Sequence, residues 1–195
     1  QSEALANIPP YPLDVVGAES EGMIGYLLEQ ELRNQLPGCR VANIVTQTVV
    51  NAAGPAFEKP SKYIGRQYTA EEAATIIRNN QWSMQAEGAH WRRVVASPLP
   101  LEILQLDAIT TLVDAGFIVI CTGGGGVPVS RSPDGKFHGV EAVIDKDHAS
   151  GLLAKRLHAS ALLLLTDVDA VYRYWGTPDQ VPVHQIALNE MEREV

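Results

Sequence analysis

Phe117-Ile118-Val119-Ile120-Cys121 runs without a polar break into Thr122 and four consecutive glycines, Gly123–Gly126. A short run apolar at every position reads as a strand buried on both faces. Such strands have parallel neighbours, and parallel neighbours need crossover connections, usually helices. The flanking sequence supplies them. From Glu19 to Gln35 the residues Ile24, Leu27, Leu28 and Leu32 recur at helical spacing, and Pro37-Gly38 ends the pattern. Val41–Val50, rich in Val, Ile and Thr, reads as a strand closed by the breaker cluster Asn51–Pro55. A helix through Leu104, Ile109, Leu112 and Val113 stops at Gly116. After a polar loop, Ser130–Gly139, an apolar strand through Val143-Ile144 leads to Asp145-Lys146-Asp147. A helix with Leu152, Leu153 and Leu157 on one face and a strand Ala161–Leu165 follow. This alternation implies an α/β fold with a largely parallel sheet covered on both faces.

Two stretches depart from that pattern. Gln1–Pro12 is polar and then proline-bearing, and reads as a loop or the tail of a preceding helix. Between Phe57 and Pro100 charges and the aromatics Tyr63, Tyr68, Trp82 and Trp91 replace the long apolar runs, which reads as a protruding subdomain with an aromatic minicore. Within it Thr69-Ala70-Glu71-Glu72 has the form of a capping box, and the segments Trp82–Gln85 and Trp91–Ala96 around Glu87-Gly88 suit a hairpin.

The chain has 195 residues, 46% of them hydrophobic, enough for a sizeable core, and the expected organisation is one domain over 1–195 with the excursion at 57–100. A net charge of −8 without a long basic run argues against nucleic-acid or anionic-membrane partners and points to small molecules. Cys39 and Cys121 are far apart and lack metal-ligand spacing, so neither a disulfide framework nor a metal site is expected. That cysteine usage and the lack of a signal-peptide pattern or a run of ~20 apolar residues lead to a cytoplasmic expectation.

Ligands of open α/β sheets bind beyond the carboxyl ends of strands, and three strand exits carry chemistry. Gly123, Gly124, Gly125 and Gly126 let backbone N–H groups approach an anion, although a glycine run by itself is equally a flexible turn. Asp145-Lys146-Asp147 sets a lysine at a helix N-terminus, against the helix dipole, where an anionic ligand resolves the conflict. Cations that neutralise a moving phosphoryl group and carboxylates that position them are the main tools of phosphoryl transfer. The competing reading of the triplet is a solvated charge cluster with Asp145 or Asp147 as N-cap. Thr166-Asp167-Val168-Asp169-Ala170-Val171-Tyr172 offers carboxylates for ribose hydroxyls or a metal and a ring to flank adenine, and is equally an Asp-rich turn. Lys62 stands at the base of the excursion, a surface lysine unless the excursion closes over a ligand. His148 and His158 have no nucleophilic partner in the sequence.

Taken in order, these segments resemble the carbamate kinase branch of the amino-acid kinase superfamily. The resemblance rests on Pro12-Leu13-Asp14, Gly22-Met23-Ile24-Gly25-Tyr26, Pro60-Ser61-Lys62 with Ile64-Gly65, and Arg92-Arg93-Val94-Val95-Ala96-Ser97-Pro98. It continues through Gly123–Pro128, Glu141–Asp147 and Leu165–Tyr172, and so spans nearly the whole chain. It implies a three-layer αβα sandwich with a mainly parallel sheet and a small protruding subdomain. It further implies a homodimer of arginine metabolism that transfers a phosphoryl group reversibly between ATP and carbamate, often toward ATP from carbamoyl phosphate and ADP, with Mg²⁺. By the same resemblance Lys62 and Lys146 reach the phosphates, Asp147 orients the lysines, and Gly124 and Gly125 line the acceptor pocket. Asp169 and Tyr172 border the nucleotide, in a nucleotide set of Asp145, Thr166, Asp167, Val168, Asp169 and Tyr172. A kinase of the same fold with another small carboxylate or phosphate acceptor, and a catalytically silent nucleotide-binding module, are the alternatives.

The family pattern also has an initial strand running into a Gly-Gly-Asn turn, a later glycine turn, and a C-terminal segment with a phosphate-binding lysine. Those elements are not in these 195 residues. The expectation is therefore a chain truncated at both ends, with poor or no turnover by this segment alone, since even one preorganised donor is worth ~3 kcal/mol.

Overall fold

Helix α1 (Leu13–Gln35) opens the computed structural model, which describes residues 11–191. It starts six residues before the expected Glu19, because Pro12 at the N-cap suits the entry and Glu141 Oε1 accepts the Leu13 N–H at 2.9 Å. Most of the expected Gln1–Pro12 loop lies outside the described residues. The expected strand Val41–Val50 is split into β1 (Arg40–Asn43) and β2 (Gln47–Val49) by three residues that leave the ladder. A short helix, α2 (Pro55–Glu58), leads to β3 (Lys62–Tyr68), α3 (Ala70–Asn80), β4 (Met84–Glu87) and β5 (His90–Val95). Then come β6 (Glu102–Ile103), α4 (Leu106–Asp114) and β7 (Phe117–Ile120), and after the glycines β8 (Val127–Arg131) and β9 (Phe137–Gly139). Helix α5 (Lys146–Arg156) is followed by β10 (Val171–Arg173), β11 (Val181–Val183) and α6 (Leu188–Met191).

The architecture is an α/β sandwich. Strand β1 pairs in parallel with β7, Arg40 opposite Phe117 through Asn43 opposite Ile120, and β2 pairs in parallel with β8. The segments 40–49 and 117–129 thus run side by side, and the glycines form an excursion from this ladder. Strand β6 adds antiparallel to β2, and β9 antiparallel to β8. The polar segment 130–139 is accordingly a hairpin and not an open loop, closed by a turn in which Gly135 N–H donates to Ser132 O. Helix α1 packs on β1, β7 and β8, and α4 on β7.

Within the excursion β3, β5 and β4 form a separate antiparallel sheet carrying α3. The capping box at Thr69 is formed: its hydroxyl accepts the Glu72 N–H, and Glu72 Oε2 accepts the Thr69 N–H at 2.9 Å. Of the excursion's aromatics Tyr68 is buried and Tyr63, Trp82 and Trp91 are half-buried. Arginines stack on three of them, Arg66 on Tyr68, Arg92 on Tyr63 and Arg93 on Trp82 at 3.9 Å.

Two expected strands are missing. Val143-Ile144 contributes no ladder, and beside it only an isolated bridge joins Ala96 to Ala142. Ala161–Leu165 forms none among the described residues, and Leu163 and Leu165 stand 81% and 92% exposed. A strand exists only through a neighbour that takes its backbone hydrogen bonds. The chain divides near this point into two units, one ending at Leu162 and one starting at Leu163, each described here by itself.

Ile144 holds the start of α5 against the sheet: it is 1% exposed and packs with Val50, Ala149, Phe57 and Val140. Ile144→Ala is expected to lower the unfolding free energy by about 2–5 kcal/mol, read from denaturant midpoints.

Candidate active site

The glycine excursion is anchored at both ends by one residue. Where the ladder breaks, Thr46 turns its hydroxyl oxygen to the Thr122 N–H at 2.9 Å and its carbonyl to the Val127 N–H at 2.7 Å. The Thr46 hydroxyl donates to Ile44 O, and its N–H donates to Glu21 Oε2 at 2.8 Å. Inside the turn, Gly125 N–H donates to Thr122 O, and Gly125 O accepts from the Thr48 hydroxyl. Thr46 and Thr48 are fully buried. Gly123–Gly125 makes a single 3₁₀ turn in which Gly124 and Gly125 take φ of +69° and +109°. A Cβ on Gly125 would lie 2.5 Å from the Ile144 carbonyl oxygen, whereas one on Gly124 would meet open space. The run is therefore a shaped turn: its backbone must approach Ile144 and Thr48 more closely than a side chain permits.

Beside it the Asp145-Lys146-Asp147 triplet opens α5, which packs against the turn. Asp145 is the N-cap, its Oδ1 accepting the Asp147 N–H at 2.9 Å, so the capping role is real. Its other oxygen, Oδ2, takes Lys62 Nζ at 2.7 Å, from the first residue of β3. The Lys62 ammonium holds the Asp145 carboxyl down to about 2, assisted by the Asp147 N–H against a smaller desolvation cost. Both side chains are about one-third exposed, at 36% and 32%, which limits the pair's contribution to about 1 kcal/mol. Its geometry matters more, because it ties the excursion sheet to the N-terminus of α5. Lys146 lies 3.4 Å from Asp147, both exposed.

A cleft of about 580 Å³ runs between α1, the glycines and the excursion, bordered by Glu21, Ile64, Gly65, Gly123, Gly124 and Ile144. The sequence reading missed Glu21, Thr46 and Thr48 in this region. The available signal was Glu21 four residues before Gly25 on one helix face, where a missing side chain admits a neighbouring element. A Cβ on Gly123 would come within 3.3 Å of Glu21 Cγ, and one on Gly25 would overlap the Asn43 side chain. Burial pushes the Glu21 carboxyl from its ordinary 4.5 up to about 7, against the Thr46 N–H, which favours the anion. Burial also pushes the neighbouring Cys121 thiol up to about 11, with Glu21 adding to the effect, so this cysteine is not a nucleophile at neutral pH.

The third predicted segment belongs to the second unit. Thr166 Oγ1 accepts the Val168 N–H at 3.4 Å, and Asp169 Oδ1 accepts the Tyr172 hydroxyl at 2.8 Å, which raises that phenol. Asp167 lies between them in the same turn. Tyr172 packs at a tilt on Trp175, centroids 5.2 Å apart, and borders an open cleft of about 660 Å³ with Arg173, His184, Ile186 and Met191. His148 lies in the first turn of α5, and His158 beyond its end at φ +51°.

The family model described as "Amino acid kinase family" matches residues 15–194. A carbamate kinase of Rhizobium meliloti is 49% identical over 173 residues, covering 87% of this chain and 53% of that protein. One from Escherichia coli (strain K12) is 47% identical over 191 residues, covering 98% of this chain and 63% of that protein. Among solved structures, carbamate kinase from Giardia lamblia bound to AMP-PNP superposes with a TM-score of 0.79 at 40% identity, over 93% of this chain and 59% of that one. The chain thus spans between about half and under two thirds of these relatives' lengths.

Two stability measurements probe the site. Gly125→Ala is expected to cost about 1–3 kcal/mol or more from φ strain and the Ile144 contact, and Gly124→Ala about 1–2 kcal/mol from φ alone. For Glu21, the folded state holds its proton up to about pH 7 while the unfolded chain releases it near 4.5, so stability falls as pH rises through that window. The loss is on the order of 3 kcal/mol, and Glu21→Gln is expected to flatten it in urea unfolding. Asp145 acts in a separate window, stabilising above 3.8 and losing its contribution as pH falls toward 2.

Proposed function

Since this chain belongs to the amino acid kinase family, we propose that it transfers a phosphoryl group reversibly between ATP and carbamate, running toward ATP from carbamoyl phosphate and ADP. The observation that carries this reading is the approach of Lys62 to the N-cap of α5 beside the glycine turn, a cation and a helix N-terminus bordering a shaped backbone turn. Relatives named carbamate kinase, 41–49% identical, support the choice of acceptor. The nucleotide analogue in the Giardia protein supports ATP and ADP as the other substrate pair.

In this mechanism the carbamoyl oxygen–phosphorus bond breaks as an oxygen of the ADP β-phosphate bonds to phosphorus. Carbamate leaves as an anion, so no proton need move. Gly125 and Gly126 commit their N–H groups to Thr122 and Gly123 carbonyls, leaving Gly123 and Gly124 as hydrogen-bond donors to the carbamoyl group. Lys62 and Lys146 neutralise the transferring oxygens, with Asp145 and Asp147 orienting them. In the second unit, taken by itself, Thr166, Asp167, Val168, Asp169 and Tyr172 are proposed as nucleotide contacts.

Mg²⁺ is proposed as the nucleotide's companion, supplying charge neutralisation between phosphates. Among the described residues no group of three or more His, Cys, Asp or Glu side chains forms a metal cage. Such an ion is commonly held by phosphates and one or two carboxylates, and exposed Asp147 fits that part.

Residues 57–100 are proposed as a subdomain that closes over the ligand, with β3 carrying Lys62. A homodimer is supported by the outward apolar stripe Met23, Ile24, Tyr26 and Leu27 on α1. Among the described residues no helix is long and apolar enough to cross a membrane. A cytoplasmic place in arginine metabolism fits the proposed substrates.

A coupled assay, with ADP and carbamoyl phosphate, of the protein expressed from its complete reading frame tests the reading. Lys62→Ala and Lys146→Ala are each expected to lower kcat by about 10²–10³-fold. No ATP formation, or variants equal to the parent, would overturn it, and turnover with acetate or phosphate acceptors in place of carbamate would redirect it.

A further inference from the structure

The adjacent arginines of β5 send their side chains in opposite directions, as neighbours on a strand must. Arg92 turns back within the excursion sheet, pairing with Glu87 on β4 at 3.1 Å and lying over Tyr63. Arg93 leaves that sheet. Its Nη2 donates to Glu141 Oε2 at 3.3 Å, and its guanidinium lies over Trp82 at 3.9 Å. Only 13% of the Arg93 side chain is exposed, so this planar group is held by a ring on one side and a carboxylate at its end. Glu141 uses its other oxygen, Oε1, to accept the Leu13 N–H that opens α1. One carboxylate thus links the excursion to the helix that borders the cleft.

The strand register brings this link beside Lys62. Lys62 lies opposite Val95, and Ile64 lies opposite Arg93. Opposed residues share a face, and so do residues two apart on a strand, which makes Lys62 and Arg93 diagonal neighbours on one face. Both reach acidic partners in the same short stretch leading into α5, Lys62 to Asp145 and Arg93 to Glu141. Between these pairs the Val143 N–H donates to the carbonyl of Ala96, the residue after β5, at 3.0 Å. A single backbone contact fixes a position but leaves rotation about it; a second attachment to one side removes that rotation. The Lys62 pair cannot serve as the second attachment in a ligand complex, because an anion at the site claims the same ammonium. The Arg93 pair can.

We propose that Arg93 and Glu141 are positioning residues acting through Lys62: their pair fixes the face of the excursion sheet that carries Lys62 against the stretch 141–145, and so holds the ammonium at the N-terminus of α5 when a ligand anion takes it from Asp145. This rests on the reading of Lys62 as a phosphate-site cation. Neither Arg93 nor Glu141 makes or breaks a bond.

Two readouts on the protein expressed from its complete reading frame test this. A carbodiimide condenses an amine and an adjoining carboxylate into an amide with loss of water. The yield of the Lys62–Asp145 crosslink, read by peptide mass spectrometry, therefore reports where the ammonium lies without any turnover. Glu141→Gln keeps an oxygen for the Leu13 N–H but loses the charge that holds Arg93, and is expected to lower that yield severalfold. Arg93→Lys, which keeps a cation without the planar fork, is expected to fall between it and the parent. In the coupled assay Glu141→Gln is expected to lower kcat about tenfold, the scale of a misplaced catalytic group. Added to Lys62→Ala, the same substitution is expected to change kcat by less than about twofold, since the group it positions is gone. Should Glu141→Gln not fold, Arg93→Gln takes its place in both readouts. A crosslink yield equal to the parent's, or an equal loss of kcat with and without Lys62, overturns the assignment. A severalfold fall in crosslinking in a protein that makes no ATP upholds the role of the pair and overturns the phosphotransfer reading instead.

Discussion

Everything in the first unit is arranged around one interruption of a parallel ladder. Segments 40–49 and 117–129 run side by side, and between their two stretches of pairing the second carries extra residues, the glycines. Backbone groups at such a break need partners, because an unpaired buried N–H costs about as much as a lost hydrogen bond. Thr46 supplies them from both its hydroxyl and its carbonyl, and Glu21 holds Thr46 in turn. The shape of the turn follows from this clamp, and the glycines permit it. With four residues lacking Cβ, the chain can pass beneath Ile144 and over Thr48.

The second organising contact is Lys62 to Asp145. As a stabilising interaction it is modest, being partly exposed to water. As a geometric device it joins the sheet of the excursion to the first turn of α5, and does so through the carboxylate that already caps that helix. An arriving anion would compete for Lys62 with Asp145.

Much of this was legible in the residues. Phe117–Ile120 formed a strand, though not one buried on both faces since Ile118 stands 36% exposed, α4 stopped before Gly116, and the capping box at Thr69 formed as its spacing required. These are local effects of periodicity, caps and breakers. Lys62 and Asp145 were both recognised, but their contact joins residues 83 positions apart, and nothing in their spacing encodes it. The missing strand at Ala161–Leu165 marks the converse limit, where apolar composition indicates a strand but only a neighbouring ladder can make one. The arginine stacking on the excursion's aromatics is a further tertiary feature that composition does not encode.

Helix α1 divides the two kinds of information most clearly. Ile24, Leu27 and Leu28 announce a helix by their spacing, and a helix forms, because 3.6-residue periodicity is a property of the local chain. Their stripe nevertheless faces outward, while Glu21 and Gly25 face the sheet. Which face turns inward was decided by tertiary contact: Gly25 admits Asn43, and Glu21 meets the Thr46 N–H that the broken ladder leaves to be satisfied. The sequence by itself determined the helices α1 and α4, the capping box at Thr69 and the glycine turn after β7. Only the folded structure decided that a buried carboxylate would stand against that turn, because the need for it arises from a backbone donor 25 residues away.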